Sequence, residues 1–184
     1  MFEIEPLAIR DVKVVTPKRF GDDRGFFSTV WERAFFEEHG LMVDADFDAF
    51  SHSTDAFTLR GMHYQVGLRV QTKLIRAMRG AIYDVVIDIR KGSPTFGHWV
   101  GDHLSAANGK MLYAPAGFAH GFITLKPDTE VAYKIRGSYS PEDERGIHWA
   151  DPDIGIGWPL AGRTPETNAR DDDFPLLRDA PDLL

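Results

Sequence analysis

The sequence predicts an all-β domain, a sandwich or barrel with a few short helices. Three observations point there: short apolar or alternating runs recur along most of the chain, each run ends in a Gly, Pro, Asn or Asp turn signal, and helical periodicity is scarce. Many short strands at this spacing are the pattern of sandwiches and barrels. Taken in order, the clearest helix is Glu32 to His39, carried by Trp31-Glu32-Arg33-Ala34-Phe35-Phe36-Glu37-Glu38 and closed by Gly40. Val70 to Met78 and Ala81 to Ile89, joined at Arg79-Gly80, read as a hairpin. Trp99 to Leu104, Lys110 to Ala114, His120 to Leu125 and Glu130 to Ile135 continue the strands, separated by turns such as Ala107-Asn108-Gly109 and Lys126-Pro127-Asp128. From Ala161 to Leu184 the chain becomes polar and Pro-bearing, with the acidic run Asp171-Asp172-Asp173. Composition there fits a solvated tail. The apolar Phe174, Leu176 and Leu177 after the run suggest instead that the tail docks back on the barrel.

At 184 residues, the chain suits one domain, able to bury roughly 70% of its unfolded surface around a single core. Hydrophobic residues make up 43% and aromatics 12%, with no apolar run of membrane-spanning length, so a soluble globular protein with no membrane partner is expected. Met1-Phe2-Glu3-Ile4-Glu5-Pro6 has neither the basic start nor the apolar core of a secretory signal, and a cytoplasmic location is read from that. The lack of cysteine excludes disulfides, thiolate nucleophiles and Cys-ligated zinc. A formal net charge of −7 argues against nucleic acid as a partner, because non-specific binding needs a basic field to replace counterions. Yet Arg60, Arg69, Lys73, Arg76 and Arg79 crowd one short segment, which favours an anionic small molecule.

The densest chemistry lies in Leu59-Arg60-Gly61-Met62-His63-Tyr64-Gln65 and the following Gln71-Thr72-Lys73-Leu74. A guanidinium, an imidazole and an ammonium at strand spacing could clamp phosphates, abstract a proton beside a carbonyl and hold positive charge where an enolate forms. Taken alone, such a triplet is more often a basic, solvated strand. Alternation in a regular strand would turn Arg60 and His63 to opposite faces. Both reach one cavity only if the strand is interrupted, and Gly61 is where a bulge or kink is expected.

A second candidate is Pro115-Ala116-Gly117-Phe118-Ala119-His120-Gly121-Phe122, a turn that delivers an imidazole into the start of a strand, although a His beside aromatics is more often simply packed. Tyr133 shares a strand face with Val131 and Ile135, and by pattern is barrel core with its hydroxyl bonded at one end. A metal-binding cupin shows a His-x-His pair with a later Glu and a further His. Here the triplet is His63-Tyr64-Gln65, without the second imidazole, so no metal is expected. No Gly-x-Gly-x-x-Gly or phosphate loop is present, and no cofactor is expected.

Four motifs in a fixed order carry a resemblance: Leu59 to Gln65; Asp88-Ile89-Arg90-Lys91-Gly92-Ser93-Pro94-Thr95-Phe96-Gly97; Pro115 to Phe122; and Glu144-Arg145-Gly146-Ile147-His148-Trp149. With Asp22-Asp23-Arg24-Gly25-Phe26-Phe27 before them and Asp151-Pro152 after, the chain resembles the dTDP-4-dehydrorhamnose 3,5-epimerases, metal-free members of the cupin superfamily. The resemblance implies a cupin jelly-roll (double-stranded β-helix), a homodimer, and cofactor-free inversion of C3, C5 or both on a nucleotide-linked 4-keto-6-deoxy sugar through enolates. It implies His63 as general base, Asp171 as the carboxylate that orients it, Tyr133 as the acid on the opposite face and Lys73 as the cation at the C4 oxygen. Arg24, Thr29, Arg60, His120, Glu144 and Arg170 are implied around the substrate. These roles suit the residue types. A His–Asp pair fixes the tautomer and raises basicity, and inversion needs an acid on the far side, because returning the proton to the same face restores the starting isomer.

One region departs from the family pattern. Thr29 stands where Arg-Gly-x-Phe-x-Glu ends in Glu. Counted back from the Leu-Arg-Gly motif, Gln-x-Asn-x-Ser-x-Ser reads here as Asp48, Phe50, His52 and Thr54, with Phe57 for a customary Gly. An intact catalytic set in an altered nucleotide frame is therefore expected. The other readings are a mono-epimerase, an epimerase of a non-dTDP nucleotide sugar, a non-catalytic nucleotide-sugar-binding cupin and a metal-dependent cupin.

Overall fold

Strand composition follows the place each strand takes. Ala81–Asp88 is apolar at most positions and buried along most of its length, as a strand covered on both faces requires. Phe47–Ser53 alternates half-buried with exposed residues, the mark of a strand with one bare face.

The structure, a computed structural model, describes residues 1–41 and 44–184. The described residues form the strands β1 (Phe2–Pro6), β2 (Lys13–Pro17), β3 (Phe20–Asp22), β4 (Gly25–Phe27), β5 (Phe47–Ser53), β6 (Leu59–Gln65), β7 (Thr72–Arg79), β8 (Ala81–Asp88), β9 (Trp99–Ser105), β10 (Met111–Ala114), β11 (Phe118–Thr124), β12 (Thr129–Arg136) and β13 (Glu144–Gly146). Two short α-helices accompany them, α1 (Arg33–Glu38) and α2 (Ala169–Asp172). The strands assemble into a six-stranded sheet in the order β1-β2-β10-β7-β12-β5, a five-stranded sheet in the order β13-β6-β11-β8-β9, and a separate β3-β4 hairpin. From β5 onward the chain changes sheet at almost every step, which makes the cupin jelly roll. Among the described residues no helix is long and apolar enough to cross a membrane.

The expected hairpin at Arg79-Gly80 is not one. β7 pairs with β10 and β12 in the six-stranded sheet, while β8 pairs with β11 and β9 in the other, so this turn is a corner between sheets. Gly80 takes φ 72°, and a Cβ there would run into Thr129. A turn signal marks the reversal but not the sheet to which the chain returns.

Between the sheets, Ile75, Leu112 and Val131 meet Ile82, Val86 and Phe122 in the main core. The outer side of the five-stranded sheet is covered by the C-terminal region, with Met62, Tyr64, Val85 and Ile87 packing on Ile147, Ile154, Leu177 and the half-buried Leu183 and Leu184. On the other sheet, Val15, Leu74 and Met111 are covered by Phe36 of α1 and by Leu41.

The local feature that positions the site is in β6. Along β11, His120 pairs with His63 and Phe122 with Arg60, so two steps on β11 face three on β6. The extra residue is a bulge in β6, and Gly61 within it has φ 136°. A Cβ on Gly61 would lie 2.5 Å from Gly121 Cα, so the two glycines let the backbones close. We expect Gly61→Ala to cost at least about 3 kcal/mol, combining the strained φ with the collision. Calorimetry should then record a melting temperature lower by roughly 6–12 °C for a chain of this size. An unchanged midpoint would show that the bulge tolerates a side chain.

Candidate active site

The apolar filling stops short of one end of the sandwich and leaves a cavity of about 360 Å³. β6 contributes Arg60 and His63, β7 Lys73, β11 His120, β12 Tyr133, β13 Glu144, and α2 Arg170 and Asp171. His120 is buried at the inner end, whereas Arg170 and Tyr139 are exposed at the mouth.

His63 and Asp171 form a dyad. His63 Nε2 lies 2.9 Å from Asp171 Oδ1, and Asp171 Oδ2 accepts the Gly61 N–H at 3.0 Å. The Asp171 N–H donates to the Asn168 side chain, the N-cap of α2, at 2.8 Å. Burial pushes the Asp171 carboxyl up, but the hydrogen bond and charge of His63, the Gly61 N–H and the Arg170 charge together outweigh it and hold it below the usual range. A carboxylate at Nε2 places the imidazole proton there. Nδ1, with no partner among the described residues, keeps its lone pair. Phe174 stands edge-on to the His63 ring, with centroids 5.6 Å apart.

Arg170 joins the dyad to the opposite wall of the mouth. Its Nη1 is 2.7 Å from Glu144 Oε2, its Nε 3.4 Å from Asp171 Oδ1 and its Nη2 3.3 Å from His63 Nε2. Tyr139 donates its hydroxyl to Glu144 Oε2 at 3.1 Å. Arg60 is held by Ser53 Oγ at 3.2 Å and by the His52 carbonyl at 3.0 Å.

Across the cavity, on the other sheet, Tyr133 shares a 3.0 Å hydrogen bond with Ser51 Oγ. Burial pushes its phenol well above the ordinary range despite that bond, so it is a neutral O–H at physiological pH. The Lys73 ammonium has no hydrogen-bond or ion-pair partner among the described residues. Burial lowers its ammonium to about 8, against the opposing charges of Glu144 and Asp84. His120 Nε2 is 2.8 Å from Asp84 Oδ1, both residues being buried.

Arg24 and Thr29, expected at the substrate, do not reach this cavity. Arg24 sits on the β3-β4 hairpin with its side chain 90% exposed and paired to Asp22, and Thr29 follows that hairpin. The count through β5 also needs correction. Asp48, Phe50 and His52 point outward, while Phe47, Ala49, Ser51 and Ser53 form the inward face. Ser51 and Ser53 keep the Ser-x-Ser spacing one residue earlier than a gap-free count gives, and the offset is taken up at residues 54–58, where Phe57 holds φ 67°. The inward positions before them are Phe47 and Ala49, which carry no amide.

Sequence reasoning missed Asp84, Ser51, Tyr139 and Asn168. Asp84 had a signal, a carboxylate in the middle of an apolar strand, and Asn168 had another, an N-cap residue ahead of Ala-Arg-Asp. Ser51 was hidden by the one-residue offset, and Tyr139 sits in the loop after β12, which nothing in the sequence ties to the cavity. Among the described residues no three His, Asp or Glu side chains come together as a metal-binding group.

The family model described as dTDP-4-dehydrorhamnose 3,5-epimerase matches residues 6–179. A relative of that name from Salmonella typhimurium is 48% identical over 174 residues, covering 94% of each chain. The solved structure of the Bacillus anthracis dTDP-4-dehydrorhamnose 3,5-epimerase with TDP and PPi bound superposes with a TM-score of 0.92 at 42% identity, over 96% of this chain and 99% of that one. A Legionella pneumophila dTDP-6-deoxy-D-glucose-3,5-epimerase in complex with dTDP-4-keto-L-rhamnose gives a TM-score of 0.92 at 40% identity, over 97% of this chain and 94% of that one.

The depressed Asp171 carboxyl has a stability consequence whose sign is determined. Its contribution is present above the unfolded carboxylate range and is lost as pH falls through the folded value. Denaturation of Asp171→Asn against the parent protein should therefore show the largest loss near neutrality, shrinking toward acid. A loss independent of pH would remove the charged pairing.

Proposed function

The chain belongs to the dTDP-4-dehydrorhamnose 3,5-epimerase family and is an isomerase of that kind; from this premise we propose that it converts dTDP-4-dehydro-6-deoxyglucose to dTDP-4-dehydrorhamnose, inverting C3 and C5 with the cavity residues in the following roles. The observation that carries the proposal is the placement of a base and an acid on facing sheets: the His63–Asp171 dyad on β6 and α2, and Tyr133 on β12.

His63 Nδ1 removes a proton from a carbon beside the C4 ketone, and the electron pair moves onto the C4 oxygen as an enolate. Asp171 holds the imidazolium that results. The Lys73 ammonium stabilises the enolate oxygen in a partly desolvated site, where charge acts strongly. Tyr133, a neutral phenol by burial, returns a proton to the opposite face, and its Ser51 partner can donate to the phenolate left behind. Arg60 and Arg170 supply cations for the diphosphate.

The expected homodimer gains support from what one chain lacks. Arg24 and Thr29 lie outside their own cavity, on and beside a hairpin that exposes Phe26 (59%) and Phe27 (70%), so a second copy is the means by which they reach a substrate.

A second reading concerns the base. Phe47 and Ala49 face the cavity where the family pattern carries amides, and a site without hydrogen-bonding groups discriminates weakly between bases. Calorimetry with thymidine, uridine, cytidine and guanosine diphosphates should show weak preference for the thymidine compound. Strong rejection of the other three would remove this reading.

His63→Asn should lower solvent-deuterium incorporation into the 4-keto sugar by about 10²-fold or more, since an amide cannot accept the proton. Tyr133→Phe should retain exchange while net inversion falls sharply; equal loss of both would end its assignment as a separate donor. Because Lys73 acts as the ammonium, the rate should fall as pH rises through about 8. A rate flat through that range would take Lys73 out of the mechanism.

A further inference from the structure

Asp84 is completely buried on β8, between the core residues Ile82 and Val86, at the level where the apolar filling gives way to the cavity. One carboxylate oxygen takes His120 Nε2 at 2.8 Å, while the other, Oδ2, is buried with no hydrogen-bond partner among the described residues. A buried ionised oxygen without a donor is costly and requires compensating charge. Besides His120, the charged groups lining this cavity are Lys73 from β7, Arg60 and His63 from β6, Glu144 from β13, and Arg170 and Asp171 from α2, with Tyr133 from β12 facing them. Glu144 is engaged by Arg170 and Tyr139, and Arg60 by Ser53 and the His52 carbonyl. The charges of Glu144 and Asp84 both act on Lys73, whose ammonium has no hydrogen-bond partner among the described residues, and of these two acids it is Asp84 that carries a buried oxygen without a partner.

We propose that Asp84 is a positioning residue of this reaction: its carboxylate pins His120 as the neutral Nε2–H tautomer and is the counter-charge of Lys73, so that His120 offers Nδ1 to the substrate as a hydrogen-bond acceptor. Burial drives the His120 imidazole toward its neutral form, with Lys73 and His63 adding to that and Asp84 opposing it, while burial raises the Asp84 carboxyl against the charge and hydrogen bond of His120 and the charge of Lys73. A lone pair at the inner end of the cavity receives a sugar hydroxyl and repels phosphate or enolate oxygens. The sugar therefore enters first, and the diphosphate stays at the mouth with Arg170.

The identity of the substrate rests on the epimerase reading, but the first test does not. Nitrogen-15 NMR of the ligand-free protein should show His120 with a protonated Nε2 and an unprotonated Nδ1 from about pH 6 to about pH 8. An Nδ1–H tautomer, which a protonated Asp84 would impose, or an imidazolium at neutral pH would overturn the proposal. Because no variant is involved, this result decides it even if Asp84→Asn does not fold. In folded Asp84→Asn, the alkaline limb of the deuterium-exchange profile should move to lower pH by roughly one unit as Lys73 loses its counter-charge. A limb that does not move would overturn the counter-charge role. A protein with the Nε2–H tautomer but no exchange activity would remove the reaction and leave the pairing standing.

Discussion

The site depends on one carboxylate that serves two parts of β6. An interrupted strand is the condition for Arg60 and His63 to share a cavity, and interruption leaves a backbone N–H at Gly61 outside the β6–β11 ladder. Asp171 accepts that N–H with one oxygen and His63 Nε2 with the other. The group that satisfies the bulge is therefore the group that orients the imidazole. It belongs to the C-terminal segment, held where it is by the Asn168 cap, by Leu177 in the outer core and by Tyr64 donating to the Pro181 carbonyl at 3.0 Å. The barrel and its tail cannot be separated energetically at this point, because without the tail a polar group would be left buried and unpaired at the centre of β6.

The charge arrangement explains how a chain of net charge −7 keeps Arg60, Lys73 and Arg170 together around one cavity. Acids inside the cavity are already committed: Asp171 to His63 and Gly61, Glu144 to Arg170 and Tyr139, Asp84 to His120. The half-exposed Arg170 guanidinium is engaged by Glu144, Asp171 and His63, so an incoming diphosphate competes with pairings whose carboxylates are largely buried.

How much of this was legible follows from what sequence patterns encode. Strands with strong alternation or continuous apolar runs, such as β8 and β12, were readable because burial selects residue type directly. The sheet each strand joins was not, since Arg79-Gly80 makes an equally good turn for a hairpin and for a corner. The β5 count failed because the period of a strand is two residues, and a single insertion exchanges every inward side chain for an outward one. The need for a bulge at Gly61 was readable because two functional side chains of opposite parity had to meet. The Asp171–His63 contact was not readable from spacing, since more than a hundred residues separate the two; only the resemblance brought Asp171 forward.

On the proposed reading, the two-sheet architecture itself carries the stereochemistry. Base and acid that sit on one strand or one loop reach a substrate from one side. Here His63 and Tyr133 belong to different sheets, each held between neighbouring strands, and the main core fixes the spacing of those sheets. Neither group has to move for a proton to leave one face and return to the other. The requirement passes instead to the enolate, which must stay planar and bound long enough to exchange partners. A partly buried, neutral phenol suits that interval, because the desolvation that makes its phenolate costly also ensures that it reaches the intermediate with its proton in place.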